Sequence, residues 1–106
     1  MSDTPAPIQR MIDATNAGDS EAFVDAFTDD AYLEDWGRGF HGHEGLRSWD
    51  STDNIGKRAH FEAKGARQHG DEWVVTLEVS GGGFNGTSDI RFQLADDRIS
   101  RMLITP

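Results

Sequence analysis

Two hydrophobic periods divide the chain. In its first half, apolar residues recur at the three- and four-residue spacing of helices that bury one face, with one short strand-like segment between them. In its second half, apolar and polar residues alternate, which is typical of strands with one buried face. This order predicts an α+β domain in which N-terminal helices pack against a mainly antiparallel sheet.

Capping residues set the limits of three predicted helices. The first begins at Thr4, where the nearby prolines suit a first helical turn, and ends at Gly18, which can adopt the left-handed conformation that closes a helix. Asp19 caps the second helix, whose end is expected at residues 28–30. A third helix is predicted over residues 43–49.

Polar turns separate the predicted strands. A short strand over 31–36 precedes the third helix and is followed by a glycine-rich loop, while residues 51–54 form a second loop. The second half of the chain then forms four strands, joined by turns at 68–71, 80–86 and 96–97. The residues expected to face the helices are Phe61, Trp73, Leu77, Ile90 and Phe92.

Length and composition agree with a single domain over residues 1–106. Apolar residues make up 36% of the chain and include three Trp and six Phe, which is enough to build a core. Strands of about eight or nine residues reach ~30 Å, long enough to curl around the helices. The expected shape is a cone that encloses one cavity.

Charge and composition exclude several partners. The net charge of −9 arises from 19 acidic and 10 basic residues, whereas nucleic-acid binding needs basic side chains that neutralise phosphates. No apolar run approaches the ~20 residues of a membrane span, and the N-terminus lacks the pattern of a secretory signal. Without cysteines there are no disulfides and no thiol chemistry. We therefore expect a cytoplasmic protein.

Asp35, at the end of the first strand, is the candidate for chemistry. Ala31, Leu33 and Asp35 share one strand face, so a buried Leu33 would direct Asp35 into the cavity. Next to Trp36 the charge of a carboxylate is disfavoured, which would make Asp35 a better base for a proton beside a carbonyl. The structural alternative is that Asp35 caps the following turn or pairs with Arg38.

This arrangement resembles the nuclear-transport-factor-2-like superfamily, which has a cystatin-like fold and includes ketosteroid isomerases and SnoaL-like polyketide cyclases. The likeness rests on Asn-Ala-Gly-Asp at 16–19, Asp-Ala-Tyr-Leu-Glu-Asp at 30–35 and Phe-Gln-Leu at 92–94, and it extends over nearly the whole chain. It implies a cone-shaped curved sheet wrapped around the helices. It also implies that Asp35 lies in the segment that bears the general base of the isomerases.

The same resemblance indicates where a steroid isomerase carries its hydrogen-bond donors, a Tyr and a protonated Asp. Met11 stands at the position of the Tyr, and Ile90 lies near that of the Asp. The lone tyrosine, Tyr32, has the opposite strand parity to Asp35. Steroid isomerisation is therefore not expected, whereas a cyclase-like aldol reaction needs fewer donors and stays open.

Two classes of function follow. The first is a small-molecule-binding domain with an apolar cavity and one acidic wall residue. The second is an isomerase or polyketide-cyclase-like enzyme that uses Asp35 as its general base. A purely structural dimer with a filled cavity is a third possibility. The residues expected to contact a small apolar ligand are Met11, Trp36, Trp49, Phe61, Ile90 and Phe92.

No cofactor or metal is expected. The histidines are scattered over loops and strands without the spacing of a metal site. The glycine-rich segment 80–86 lacks the Gly-Lys-Ser/Thr ending of a phosphate loop and predicts a hairpin turn.

A homodimer is expected through the outer face of the sheet. Val74, Thr76 and Ile104 have the parity opposite to the core rows, and exposed apolar or β-branched residues favour a two-fold contact.

Overall fold

The computed structural model describes residues 4–105, so both predicted domain limits lie outside this range. None of its helices is long and apolar enough to cross a membrane. In chain order the elements are α1 (Ala6–Ala17), α2 (Ser20–Asp25), β1 (Phe27–Asp35), β2 (Arg38–His41), α3 (Gly42–Asp53), a 3₁₀ turn (Ile55–Lys57), β3 (His60–His69), β4 (Glu72–Ser80), β5 (Gly86–Ala95) and β6 (Arg98–Ile104).

The caps predicted at the end of the first helix and at the start of the second are confirmed, whereas the first helix begins at Ala6, after Pro5, and not at Thr4. Gly18 ends α1 in the left-handed conformation, and its N–H donates to the Thr15 carbonyl at 3.1 Å. The Asp19 side chain accepts a hydrogen bond from the Ala22 N–H at 3.1 Å, as an N-cap should. The second helix ends earlier than expected, because the chain is already extended at Phe27.

The described strands form one sheet in the order β2-β1-β6-β5-β4-β3, with β1 and β6 parallel and the other neighbours antiparallel. The sheet is curved, and the helices pack on its inner face through contacts of α1 with β3 and of α3 with β1. The predicted α+β architecture is therefore confirmed.

The core forms between the helices and the inner rows of the sheet. Phe61, Leu77, Ile90 and Phe92 are each at most 5% exposed, and Trp73 is half-buried against them. The register predicted for these strands is confirmed. Burial of each such side chain stabilises the fold by roughly 1.5–3 kcal/mol relative to exposure.

Residues 38–41, expected to be part of a loop, form β2. Asp35 pairs with Arg38 across a two-residue turn of Trp36 and Gly37, whose φ angles are +50° and +85°. Two successive positive φ angles are typical of the type I′ turn that joins hairpin strands. This strand was not predicted because its glycines lower the strand propensity of the segment.

The loop predicted at 51–54 is also wrong, because α3 continues to Asp53. The hydroxyls of Ser51 and Thr52 donate to the Ser48 carbonyl at 3.0 and 3.1 Å, so residues that favour turns bond inside the helix instead. The extension puts Asp53 one helical turn after Trp49 and on the same side.

The outer face of the sheet is polar rather than apolar. Ile104 lies opposite Ile90 across the β5–β6 pair and lines the inner side, so its predicted outward placement is wrong. Val74 is only 3% exposed, and Thr76 donates to Asp89 at 2.5 Å within a face that carries several ion pairs. These residues do not form the exposed apolar patch expected for a two-fold contact, and the homodimer stays a prediction.

Asn16 ties the end of α1 to the edge of the sheet. Its side-chain amide donates to the Phe61 carbonyl, and its side-chain oxygen accepts from the Phe61 N–H, both at 2.8 Å. The side chain thus replaces a neighbouring strand for one residue of β3.

Replacing Asn16 with Ala should lower the free energy of unfolding by about 1–3 kcal/mol, because both backbone groups of Phe61 lose their partners. Urea unfolding followed by circular dichroism measures the change. Asn16→Asp is the matched control, since it keeps the acceptor and should lose only part of that energy. Equal stability of the Ala variant and the wild type would contradict this role.

Candidate functional site

An open pocket of about 450 Å³ lies between the end of α3, the 3₁₀ turn and the inner face of the sheet. Its depth is lined by the buried side chains of Trp49, Phe61 and Ile90. Trp36 and Phe84 stand at the mouth and are 60% and 55% exposed. The polar residues that line it include Asp35, Thr52, Asp53, Lys57, Thr87 and Ser88.

Asp35 lies on the inner face of β1, as the parity with buried Leu33 predicted, and its side chain is 15% exposed. The indole N–H of Trp49 donates to Asp35 Oδ2 at 3.0 Å, and Arg38 donates to the same oxygen at 2.8 Å. The predicted pairing with Arg38 is confirmed. Both donors bind Oδ2, so Oδ1 has no donor of its own among residues 4–105, and the Asp53 carboxyl group also lies within hydrogen-bonding reach of the Asp35 side chain.

Arg38 joins Asp35 to a second carboxylate, Asp53 at the end of α3. Partial burial opposes ionisation of Asp53, but the hydrogen bonds from Arg38 and Thr52 and the charge of Arg38 outweigh it, so the pKa of Asp53 lies below its usual value. The hydrogen bond to Asp53 correspondingly raises the pKa of Arg38. The strand β1 and the helix α3 are therefore clamped together by charge at one side of the pocket.

Trp49 serves both the core and the pocket. Its ring stacks on Phe23 with 5.9 Å between ring centroids, while its N–H points to Asp35. The two interpretations of this residue, core packing and ligand contact, therefore describe two sides of one side chain. An indole fixed in this way holds the Asp35 carboxylate in a single orientation.

Asn54 fixes the chain just after α3. Its Nδ2 donates to Thr15 Oγ1 and Asp50 Oδ1, both at 3.1 Å, and its backbone carbonyl accepts from the N–H groups of Lys57 at 2.9 Å and Ala59 at 3.0 Å. Asn54 is fully buried, and its Oδ1 has no partner among the residues described. Because Asp50 can only accept, the amide cannot be turned over to satisfy that oxygen.

The two aromatic residues at the mouth of the pocket lie in turns of different kinds. Trp36 has a positive φ, which is unfavourable for a bulky residue, in the β1–β2 turn. Phe84 lies in the β4–β5 loop, where the Asn85 side chain bonds to the backbone of Gly81 and Gly83 at 2.9–3.2 Å. The predicted hairpin turn is thus an ordered loop.

The structure brings most of the predicted site residues together. Asp35, Trp36, Trp49, Phe61 and Ile90 all line the pocket. Two further residues, Met11 and Phe92, are completely buried in the core and are not among the lining residues. Tyr32 faces away, where its hydroxyl donates to Glu34 at 2.9 Å.

Sequence reasoning missed Asp53, Asn54 and Lys57, because it ended α3 at Trp49 and began a loop there. The signal was available for Asp53, which follows Trp49 at the four-residue helical spacing. Ser88 was also missed as a wall residue, although it shares the strand parity of Ile90.

The histidines have separate environments. His41 packs against Tyr32 with 4.8 Å between ring centroids, and His43 Nε2 lies 2.9 Å from the Phe27 carbonyl oxygen. Within residues 4–105, no three His, Asp or Glu side chains are grouped in a way that could hold a metal ion.

Several solved structures share this fold. A candidate polyketide cyclase from Sinorhizobium meliloti is 29% identical with a TM-score of 0.84, and the match covers 97% of this chain and 96% of that one. An uncharacterised cystatin-fold protein from Novosphingobium aromaticivorans is 25% identical with a TM-score of 0.79, covering 94% and 95%. The Δ5-3-ketosteroid isomerase from Mycobacterium sp., 18% identical with a TM-score of 0.81 and covering 95% and 90%, shows a likeness of fold alone.

A comparison with curated proteins gives no match. The family profile described as the SnoaL-like domain matches residues 8–102, which is most of the chain. The chain therefore belongs to the SnoaL-like domain family and has the fold of the nuclear-transport-factor-2-like and ketosteroid-isomerase-like proteins.

Proposed function

We propose that this protein binds a small, mostly apolar molecule in the pocket and that Asp35 accepts a hydrogen bond from a polar group of that molecule. The observation that carries this proposal is the Asp35 carboxylate, of which one oxygen accepts from Trp49 and Arg38 while the other has no hydrogen-bond donor among residues 4–105. A fixed acceptor beside buried apolar walls is the usual composition of a small-molecule site.

The surrounding walls support an apolar ligand body. Phe61 and Ile90 are at most 5% exposed and lie at the depth of the pocket, where a ligand would displace water from apolar surface. A volume of about 450 Å³ lies within the range of small-molecule sites, ~300–1,000 Å³. The purely structural alternative expects side chains to fill the cavity, and a pocket of this volume argues against it.

A second candidate is an isomerase or cyclase-like enzyme in which Asp35 Oδ1 removes a proton next to a carbonyl. It is favoured by the candidate polyketide cyclase of Sinorhizobium meliloti, which is 29% identical over nearly the whole chain. The enolate formed would need a donor, and the Ser88 hydroxyl on the inner face of β5 could supply one. This chemistry requires that Asp35 be a base and not only a ligand acceptor.

Filling the pocket should weaken binding. Ser88→Trp places an indole on the inner face of β5 and should lower affinity for N-phenyl-1-naphthylamine, an uncharged fluorescent probe, by about tenfold or more, which is ~1.4 kcal/mol. Gln93→Trp on the same strand is the matched control, because Gln93 has the outward parity. Unchanged affinity in the Ser88 variant would rule out this pocket as the binding site.

The enzymatic candidate predicts proton exchange that depends on Asp35. Proton NMR in deuterated water should show that the wild type accelerates loss of the α-proton signals of 2-tetralone, an apolar ketone, and that Asp35→Asn slows this by about a hundredfold. The variant should stay folded, with stability within about 1 kcal/mol of the wild type, because an Asn oxygen can still accept from Trp49.

Asp53→Asn is the control for that experiment, since it removes the other carboxylate of the clamp and leaves Asp35 in place. Equal exchange rates in the wild type and the Asp35 variant would exclude the general-base role and leave the binding proposal intact. Unfolding of the Asp35 variant by several kcal/mol would instead assign Asp35 a structural role.

A further inference from the structure

Lys57 differs from most basic residues of this chain in having no acidic partner. Acidic residues outnumber basic ones by 19 to 10, and most basic side chains are paired with a carboxylate. Among residues 4–105, only Lys57, Arg58 and Arg101 lack such a pair, and Arg101 packs over the Tyr32 ring. Of these three, Lys57 alone lines the pocket.

The position of Lys57 is set by its backbone. Its N–H donates to the Asn54 carbonyl at 2.9 Å, and its own carbonyl accepts from the Gly82 N–H at 2.7 Å. A Cβ at Gly82 would lie 3.0 Å from that carbonyl oxygen, so a larger residue would push the two segments slightly apart. The glycine-rich β4–β5 loop therefore packs against the 3₁₀ turn and fixes the position of the Lys57 backbone.

The side chain of Lys57 leaves this junction along the pocket wall. Its Cβ and Cγ lie in van der Waals reach of Gly83, since a Cβ built there would be 3.6 Å from both. The Lys57 ammonium group therefore supplies hydrogen-bond donors at this end of the pocket.

Asp35 lies toward the other end of the pocket. In the sheet order, β6 and β5 separate the strand of Asp35 from β4, whose following loop packs against Lys57, and three strand spacings of ~4.8 Å amount to roughly 14 Å along the sheet. Both carboxylates of the clamp, Asp35 and Asp53, are paired with Arg38, which offsets part of their repulsion of a negative group bound at Lys57.

We propose that Lys57 forms an anion subsite at this end of the pocket and that the ligand of this pocket is a mostly apolar carboxylic acid. The carboxylate would pair with the Lys57 ammonium, while the apolar part lies on Phe61 and Ile90. This inference rests on the proposed binding function and adds the chemical class of the ligand. It also gives the glycine-rich loop a role, since that loop positions the lysine.

The test compares two probes that differ only in charge, 1-naphthylacetate and its neutral amide 1-naphthylacetamide. Isothermal titration calorimetry is carried out on the wild type, Lys57→Met and Arg58→Met. Lys57→Met keeps the apolar stem and removes the ammonium. Arg58→Met is the matched control, because it changes the net charge equally one residue away and does not line the pocket.

We expect Lys57→Met to weaken 1-naphthylacetate binding roughly three- to tenfold and to leave 1-naphthylacetamide within about twofold, the scale of one partly exposed charge-assisted contact. Arg58→Met should leave both affinities unchanged. Lys57→Arg should keep the preference for the acid. This variant also shows that a loss in the Met variant is not caused by disturbance of the junction with Gly82.

The possible failures are distinguishable. If neither probe binds the wild type, the proposed binding function fails, and the anion subsite fails with it. If both probes bind but Lys57→Met does not weaken the acid selectively, or Arg58→Met weakens it as much, the subsite is overturned while the apolar pocket stands.

Discussion

The buried side chain and carbonyl of Asn54 hold together the part of the molecule on which the pocket depends. The amide joins α1 to α3 through Thr15 and Asp50, and the carbonyl holds the N–H groups of Lys57 and Ala59. The chain therefore leaves the helix in one fixed direction. As a result, the two charged residues on either side, Asp53 and Lys57, reach different parts of the pocket wall. These hydrogen bonds fix the junction, because a buried polar group that loses its partner costs free energy.

The charge clamp beside the pocket fixes the orientation of one carboxylate. Arg38 and Trp49 both donate to Asp35 Oδ2, which leaves Oδ1 as the oxygen that a ligand can meet. Orientation serves both binding and proton abstraction. A binding role is the simpler consequence of this geometry, because it requires only a fixed acceptor, whereas proton abstraction also requires a donor for the enolate.

The amphipathic elements and the caps were predictable from sequence because each depends on neighbouring residues. Asp19, Gly18 and the alternating row from Phe61 to Phe92 follow local rules of capping and parity. The end of α3 could not be predicted in this way, because Ser51 and Thr52 favour turns in isolation and are helical here through hydrogen bonds to the Ser48 carbonyl. Much of the pocket wall depends on that extension. Asp35 was found because strand parity needs no tertiary information, whereas the arginine shared with Asp53 joins groups 15 residues apart and left no local signal.

The central position of β6 has a consequence for the order in which the molecule assembles. β6 lies between β1 and β5, and its pairing with β1 is the parallel one, so the β1–β2 hairpin can join the other strands only through the latest strand in sequence. Contacts between such distant segments form slowly because the intervening loop must close first. The wall that carries Asp35 is therefore joined to the rest of the pocket late, after β3, β4 and β5 can already pair as local hairpins.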